Sequence, residues 1–445
     1  MTETTEKAET TETTGRAGTQ PGAAGRAYRW VDARAPRIAL VAAALYAAVG
    51  LAYSLVLGDK IRYYDEEVYV GLARRLVAGE GYTLDGVSPT AYRPPGYPFL
   101  LAAVDALGGG IVAMRLIGVA ALAGAGLLAY RLGERVHSRV AGALAAVLVA
   151  FYPLLVFTAG TLYPQVPALF LLLLVIWLGL RAVELPAGWP RRAAAAGAGL
   201  AGGLLTLAVP TFAVSVLAVA GWLALRRESR PAARRVVPLL LIATAVLPGA
   251  WCVRNALQLH AFVPVSTNNG INLVLGNSEG VSAGGGRVGD IERYEREAAA
   301  HVLSEVEQDR FYQEAGRRWI REHPGEAAVL YAEKVANNFS FRNELATSGQ
   351  RSPVQDMVSA VSYYPLLALF ALRLLLARRW KLTGLEKLLV ALVLGNVLLL
   401  AVFYTRLRFR VPLDGLMLVT SAAMLAELLT GHRPGSQGVT GAPSV

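Results

Sequence analysis

The chain has 445 residues, 54% of them hydrophobic and only 17% charged, where an ordinary soluble domain carries roughly 25% charged residues. This composition excludes an ordinary soluble protein and points to a bilayer. The net charge of +11 does not read as a nucleic-acid face, because the Arg residues fall in short clusters between apolar runs, a pattern that sets membrane topology.

Residues 1–37 are rich in Thr, Glu, Gly and Ala and read as a disordered cytoplasmic tail whose Arg residues approach the membrane. The apolar run 38–57 is long enough to span, and no small-residue cleavage site closes it, so it is expected to stay as a transmembrane helix. About ten candidate spans follow from a need for about 20 apolar residues per crossing, and basic loops orient them. The predicted fold class is therefore an all-α polytopic membrane protein with outer-face juxtamembrane helices. Residues 38–250 are read as one transmembrane module, with an outer loop at 58–110 between the first span and the span 111–130. Within that loop, residues 96–107 are too short to cross and are expected to lie in the interface. Spans at 140–158 and 166–180 flank a short outer turn, 159–165. Spans at 193–208 and 212–225 form a hairpin broken by Pro210, and 236–250 leads out.

Residues 251–357 read as an extracytoplasmic segment, opening on a turn-rich run, STNNGINLVLGNSEG, in which Asn269-Gly270 and Gly276-Asn277 are expected to be turns without a functional role. Amphipathic helices are expected around 290–308, 310–322 and 325–339, and Gly284 to Gly286 as a loop over the site. Residues 358–430 carry the last spans, and 431–445 a second cytoplasmic tail. Between the last two spans, YTRLRFR puts three Arg residues on an outer turn, against the charge rule, so a functional reason is expected. Cys252 is the single cysteine and cannot form an internal disulfide, and the five His residues are scattered, so no metal and no cofactor is expected. Low Lys with high Ala, Arg and Gly suggests a GC-rich bacterial genome, hence a multi-pass plasma-membrane protein with both termini cytoplasmic. The oligomeric state is not readable.

The chemistry concentrates in residues 65–98, DEEVYVGLARRLVAGEGYTLDGVSPTAYRPPGYP. Asp65 and Glu66 open a helix whose Val68, Leu72 and Leu76 repeat on one face. Capping and helix-dipole complementation alone favour acidic residues there. Arg93, Pro94 and Pro95 in the same loop, with Arg254, Arg406, Arg408 and Arg410 on other outer turns, suggest instead a carboxylate base facing a phosphate site. Transfer of a sugar from a lipid phosphate needs one base for the acceptor hydroxyl and fixed cations for the leaving phosphate. Arg suits that role through its permanent charge and bidentate donors. For each Arg, snorkelling to lipid headgroups is the competing reading. For the aromatic residues here, Tyr92 among them, it is an interfacial belt.

In their order along the chain, the DE pair after the first span, RPPGYP leading into an interfacial helix, the basic inner loops and the short outer turn resemble the GT-C glycosyltransferases. The likeness, over residues 38–429, is to the branch of protein O-mannosyltransferases and lipid A aminoarabinose transferases (glycosyltransferase family 39). It implies inverting transfer from a polyprenyl-phosphate-linked sugar, hexose or pentose, to an extracytoplasmic lipid, glycan or protein. It implies two catalytic residues, Asp65 as base and its neighbour Glu66 helping to orient substrate, with Arg93 at the lipid phosphate. Arg254, Asn255 and the Arg406 to Arg410 cluster fall near that phosphate. Relatives often carry an acidic residue on the second outer turn where this chain has Gln165, which leaves Tyr163 and Gln165 as contacts to substrate hydroxyls and makes metal-dependent chemistry less expected. A transporter or lipid flippase, or a non-catalytic assembly subunit, remains the alternative. The apparent lack of mid-membrane charges and of an internal repeat argues against the transporter.

Overall fold

The structure is a computed structural model, and it describes residues 23–284, 291–342 and 352–430. These residues form helices joined by turns, with an isolated β-bridge between Thr83 and Pro89 in the first long loop. In chain order the helices begin with α1 (Ala23–Leu57), α2 (Tyr64–Val77), α3 (Gly96–Ala106), α4 (Ile111–Val136), α5 (Arg139–Phe151) and α6 (Pro153–Ala159). Next come α7 (Gln165–Glu184), α8 (Trp189–Ala208), α9 (Ala213–Leu225) and α10 (Arg230–Leu259). The polar segment contains α11 (Asn269–Gly276), α12 (Ile291–Ala300), α13 (Glu305–Glu322) and α14 (Pro324–Asn337), and the chain closes with α15 (Pro353–Leu375), α16 (Gly384–Leu400) and α17 (Leu407–Thr430).

Among the described residues, six helices are long and apolar enough to cross a bilayer, or seven if α5 and α6, bent by 52° at their junction, count as one span. The expected ten is not reached by this criterion, for local reasons. Helix α8 begins WPRR and is rich in Gly and Ala, Pro210 starts a short 3-10 turn before the 13 residues of α9, and α16 has only 17 residues. The short helix expected near residue 96 forms over 11 residues, a rise of about 16 Å against the roughly 30 Å of a hydrocarbon core.

The bundle is held by close backbone approach. A Cβ added at Gly199 of α8 would lie 2.3 Å from the Leu240 carbonyl of α10, and one at Gly203 would lie 2.7 Å from that of Thr244. This GxxxG spacing lets two helices touch along their backbones, the usual packing where lipid removes any hydrophobic drive between helices. Deepest in the protein is α17, with Val411, Leu413, Leu416, Met417, Val419, Ala422 and Ala423 at 0% exposure against α4, α5 and α7.

The polar segment folds differently from its sequence reading in two places. Asn269 to Gly276 is a helix rather than a pair of turns, and both glycines serve close approach: added Cβ atoms would meet Asp309 O at 2.1 Å and the Phe403 backbone at 2.4 Å. The helix expected over 290–308 is two helices, because Ser304 accepts from Glu307 N–H and Glu307 reaches back to Ser304 N–H, a capping box that starts α13 anew. Of the loop expected at Gly284 to Gly286, residues 285 and 286 lie outside the described residues.

Candidate active site

The end of α1, the start of α4, the turn between α6 and α7 and the start of α17 meet at one end of the bundle, roofed by the polar segment. Arg115 of α4, fully buried, organises the floor. Its guanidinium donates to Gly160 O at 3.1 Å and to the carbonyls of Gly58 and Lys60, so it fixes the turn that leads into α2. Above it lies a cavity of about 1830 Å³, lined by Arg62, Tyr63, Asp65, Tyr92, Arg93, Tyr163, Arg406 and Arg408, with Pro153, Leu154 and Phe157 on an apolar wall and Glu305, Gln308, Asp309 and Tyr312 opposite.

Asp65 sits in the first turn of α2 with its side chain 13% exposed. Arg93 Nη2 donates to Oδ1 at 2.5 Å, and Arg408, 343 residues further along, donates to Oδ2. Burial pushes the Asp65 carboxyl up, but the charges and hydrogen bonds of Arg408 and Arg93 outweigh it and hold the group below the ordinary value of 3.8. Arg93 is aimed by its neighbours: Tyr82 Oη donates to its carbonyl at 2.8 Å, and its guanidinium lies over the rings of Tyr69 and Tyr92 at 5.7 and 5.1 Å. Pro95 then caps α3, where Gly96 admits the backbone of Leu207 and Ala208. Arg408 stacks on Tyr163 at 5.2 Å.

Glu66 has a different setting. It is fully buried and outside the cavity lining; Oε2 accepts from the backbone N–H of Arg62 (2.7 Å) and Tyr63 (3.3 Å), and Oε1 from Leu162 N–H at 3.0 Å. Its carboxylate ties the α1–α2 turn to the α6–α7 turn. Of the other residues singled out in sequence, the structure brings Arg406, Tyr92 and Tyr163 to the cavity with Asp65, Arg93 and Arg408. It does not bring Arg254, Asn255, Arg410 or Gln165 there. Arg254 donates to Thr90 O and Tyr82 O, bracing the first loop, and Asn255 donates to Val263 O at 2.9 Å. Arg410 pairs with Asp414 at 2.8 Å and donates to the carbonyls of Asn338 and Ser340. Gln165, 7% exposed at the start of α7, keeps Oε1 buried without a partner among the described residues.

Glu305 and Arg62 are among the cavity residues that the sequence did not single out. Glu305, at the start of α13, accepts from Ala91 N–H at 2.8 Å, Thr267 Oγ1 at 2.5 Å and Thr90 Oγ1, clamping the first loop under the polar segment. Arg62 precedes α2 and points into the cavity. Among the described residues no group of three or more His, Cys, Asp or Glu is placed to hold a metal ion.

Residues 92–252 match the family described as dolichyl-phosphate-mannose-protein mannosyltransferase, a segment that includes Arg93 and Tyr163 but neither Asp65 nor Arg408. Among solved structures, the fold is similar to that of the Archaeoglobus fulgidus oligosaccharyltransferase in its apo form, at 13% identity and a TM-score of 0.50, over 87% of this chain and 50% of that one. The chain is similar to the GT-C membrane glycosyltransferases, in sequence over residues 92–252 and in fold over most of its length. The chain spans about half the length of the archaeal enzyme. A further similar structure is ArnT from Cupriavidus metallidurans bound to undecaprenyl phosphate, at 16% identity and a TM-score of 0.43, over 87% of this chain and 77% of that one. No curated protein matches the chain in sequence.

Proposed function

We propose that the protein transfers a sugar, with inversion, from a polyprenyl-phosphate carrier to an acceptor hydroxyl at the extracytoplasmic face, with Asp65 as general base. The observation that carries this reading is Asp65 held between Arg93 and Arg408 in a cavity of about 1830 Å³. The family match to a lipid-phosphate-sugar transferase over residues 92–252 supports the donor class.

The chemistry follows from the charges. The acceptor oxygen attacks the anomeric carbon as its proton passes to Asp65; the bond from that carbon to the phosphate oxygen breaks, and the oxygen keeps the electron pair. The lipid phosphate thereby goes from a monoanionic diester to a monoester with a second negative charge. Fixed guanidinium groups stabilise that developing charge more than they stabilise the donor, which is where rate is gained. In the resting site Arg93 and Arg408 are spent on Asp65, while the Nε of each is buried without a hydrogen-bond partner among the described residues. A donor phosphate drawn to those donors loosens the grip on Asp65, so arrival of the donor turns a suppressed carboxylate into a usable base. Glu66 acts here as a positioning residue, fixing the turn that aims Asp65.

Asp65→Asn keeps the side-chain shape and removes the base. Transfer of labelled sugar from lipid donor in membranes is expected to fall by about 10²- to 10⁴-fold, the usual range for a lost general base. Full transfer by this variant would sink the mechanism. Mass analysis of accumulated lipid-linked sugar in the same membranes identifies the donor.

A further inference from the structure

Five arginines line the cavity, and among the described residues Arg62 and Arg406 are in no ion pair, whereas Arg93 and Arg408 both pair with Asp65. Arg62 is the more completely built. Its backbone N–H is fixed by Glu66 Oε2 at 2.7 Å. Its guanidinium lies over the rings of Tyr63 and Phe157, 5.4 Å from each. Of its five N–H donors, two go to neutral acceptors at long distance, Tyr53 Oη at 3.3 Å and Gly160 O at 3.4 Å, and Nε is buried with no acceptor among the described residues. The neighbouring Arg115, by contrast, spends its charge on three carbonyls. A half-buried, stacked guanidinium with unused fork donors and no ion-pair partner among the described residues is a site suited to an anion from outside, and the fork matches phosphate oxygens.

A second observation sets the kind of anion. Phe157, which stacks on Arg62, belongs to the apolar wall that α6 gives the cavity with Pro153 and Leu154. Charge and apolar surface are therefore adjacent, as a phosphate carrying a hydrocarbon chain requires.

We propose that Arg62 is a lipid-phosphate anchor separate from the Asp65 pair, holding the phosphate of a membrane lipid whose chain runs along Leu154 and Phe157. This deepens the transferase reading and rests on it only for placing the lipid in the same cavity. Arg62 is free to take the carrier's phosphate first, before Arg93 and Arg408 turn from Asp65 towards it.

The test is binding to the full-length purified protein in neutral detergent, read by native mass spectrometry, with undecaprenyl phosphate, undecaprenol, phosphatidylglycerol and inorganic phosphate as separate probes. Wild type is expected to bind undecaprenyl phosphate, and Arg62→Gln to weaken it about tenfold or more, with undecaprenol weak and equal in both. Arg62→Lys, which keeps the charge and loses the fork, is expected to lie between them and serves if the Gln variant does not fold. An equal Arg62-dependent loss for phosphatidylglycerol would assign the anchor to bulk phospholipid as well as carrier. Unchanged affinity of both variants for undecaprenyl phosphate overturns the proposal. Inorganic phosphate binding as tightly as the lipid overturns its lipid part. Asp65→Asn separates the two readings: its binding of undecaprenyl phosphate is expected still to weaken on adding Arg62→Gln, while its sugar transfer has fallen by about 10²- to 10⁴-fold. If wild type transfers none but binding still depends on Arg62, the transferase reading fails and the anchor stands.

Discussion

Asp65, the proposed base, has its strength set by its partners. Both of its oxygens are engaged by guanidinium groups, and these outweigh the burial that would otherwise raise its pKa. The sign is simple: a carboxyl held below 3.8 remains ionised down to lower pH, so the free protein's kcat/KM is expected to stay level on the acid side until pH falls under that value. Arg93→Gln removes one cation and lets Asp65 rise, moving the acid limb upward alongside any loss of rate. A profile whose acid limb does not move in Arg93→Gln would show that Asp65 does not limit it. The pair between Asp65 and Arg93 was readable because both residues stand in one loop, and Arg408 because three arginines on an expected outer turn break the charge rule. Arg62 was not readable: an Arg beside two Tyr residues at a span's end has the composition of any membrane interface. Arg254 and Arg410 have the same residue type and expected face as Arg408, yet their partners are backbone carbonyls and a neighbouring carboxylate supplied only by the folded chain.

At the scale of elements, the roof over the cavity depends on a buried lysine. Lys334 of α14, 1% exposed, donates to Gly276 O and Asn277 Oδ1, both at 3.0 Å, and Asn277 in turn donates to Val402 O at 2.8 Å, joining α11, α14 and the turn before α17. Burial lowers the Lys334 ammonium from 10.5 to about 8. Between these values the unfolded chain binds more protons than the folded one, so stability is expected to rise with pH from about 8 towards 10.5. Thermal unfolding in detergent checks this, and Lys334→Met should remove that rise. The amphipathic period gave helices α13 and α14 in the sequence, whereas the helix at α11 was hidden because Asn and Gly read as turn residues when their packing partners are unknown.

For the whole molecule, small residues at helix contacts matter more than apolar bulk. Gly199→Val would drive a side chain into the Leu240 carbonyl, 2.3 Å from the new Cβ, and is expected to destabilise the bundle by about 3 kcal/mol or more. Gly221→Ala, where nothing lies within 4 Å, is expected to be neutral or mildly stabilising, by up to about 1 kcal/mol. Denaturant titration in mixed micelles compares the two directly, and equal loss in both would refute the packing argument. The all-helical membrane fold was legible from composition and apolar period. The number of crossings was not, since Gly, Ala and Pro in α8 to α10 blur where one helix yields to the next.

The contact between Asp65 and Arg408 joins positions 343 apart. At a synthesis rate of about 5–20 residues per second, roughly 20–70 s separate the two residues' emergence from the ribosome. Through that interval the carboxylate has Arg93 alone, and the pocket lacks one wall. Nascent chains are therefore expected to be silent in the proposed transfer until α17 has been inserted and brings Arg408 to Asp65.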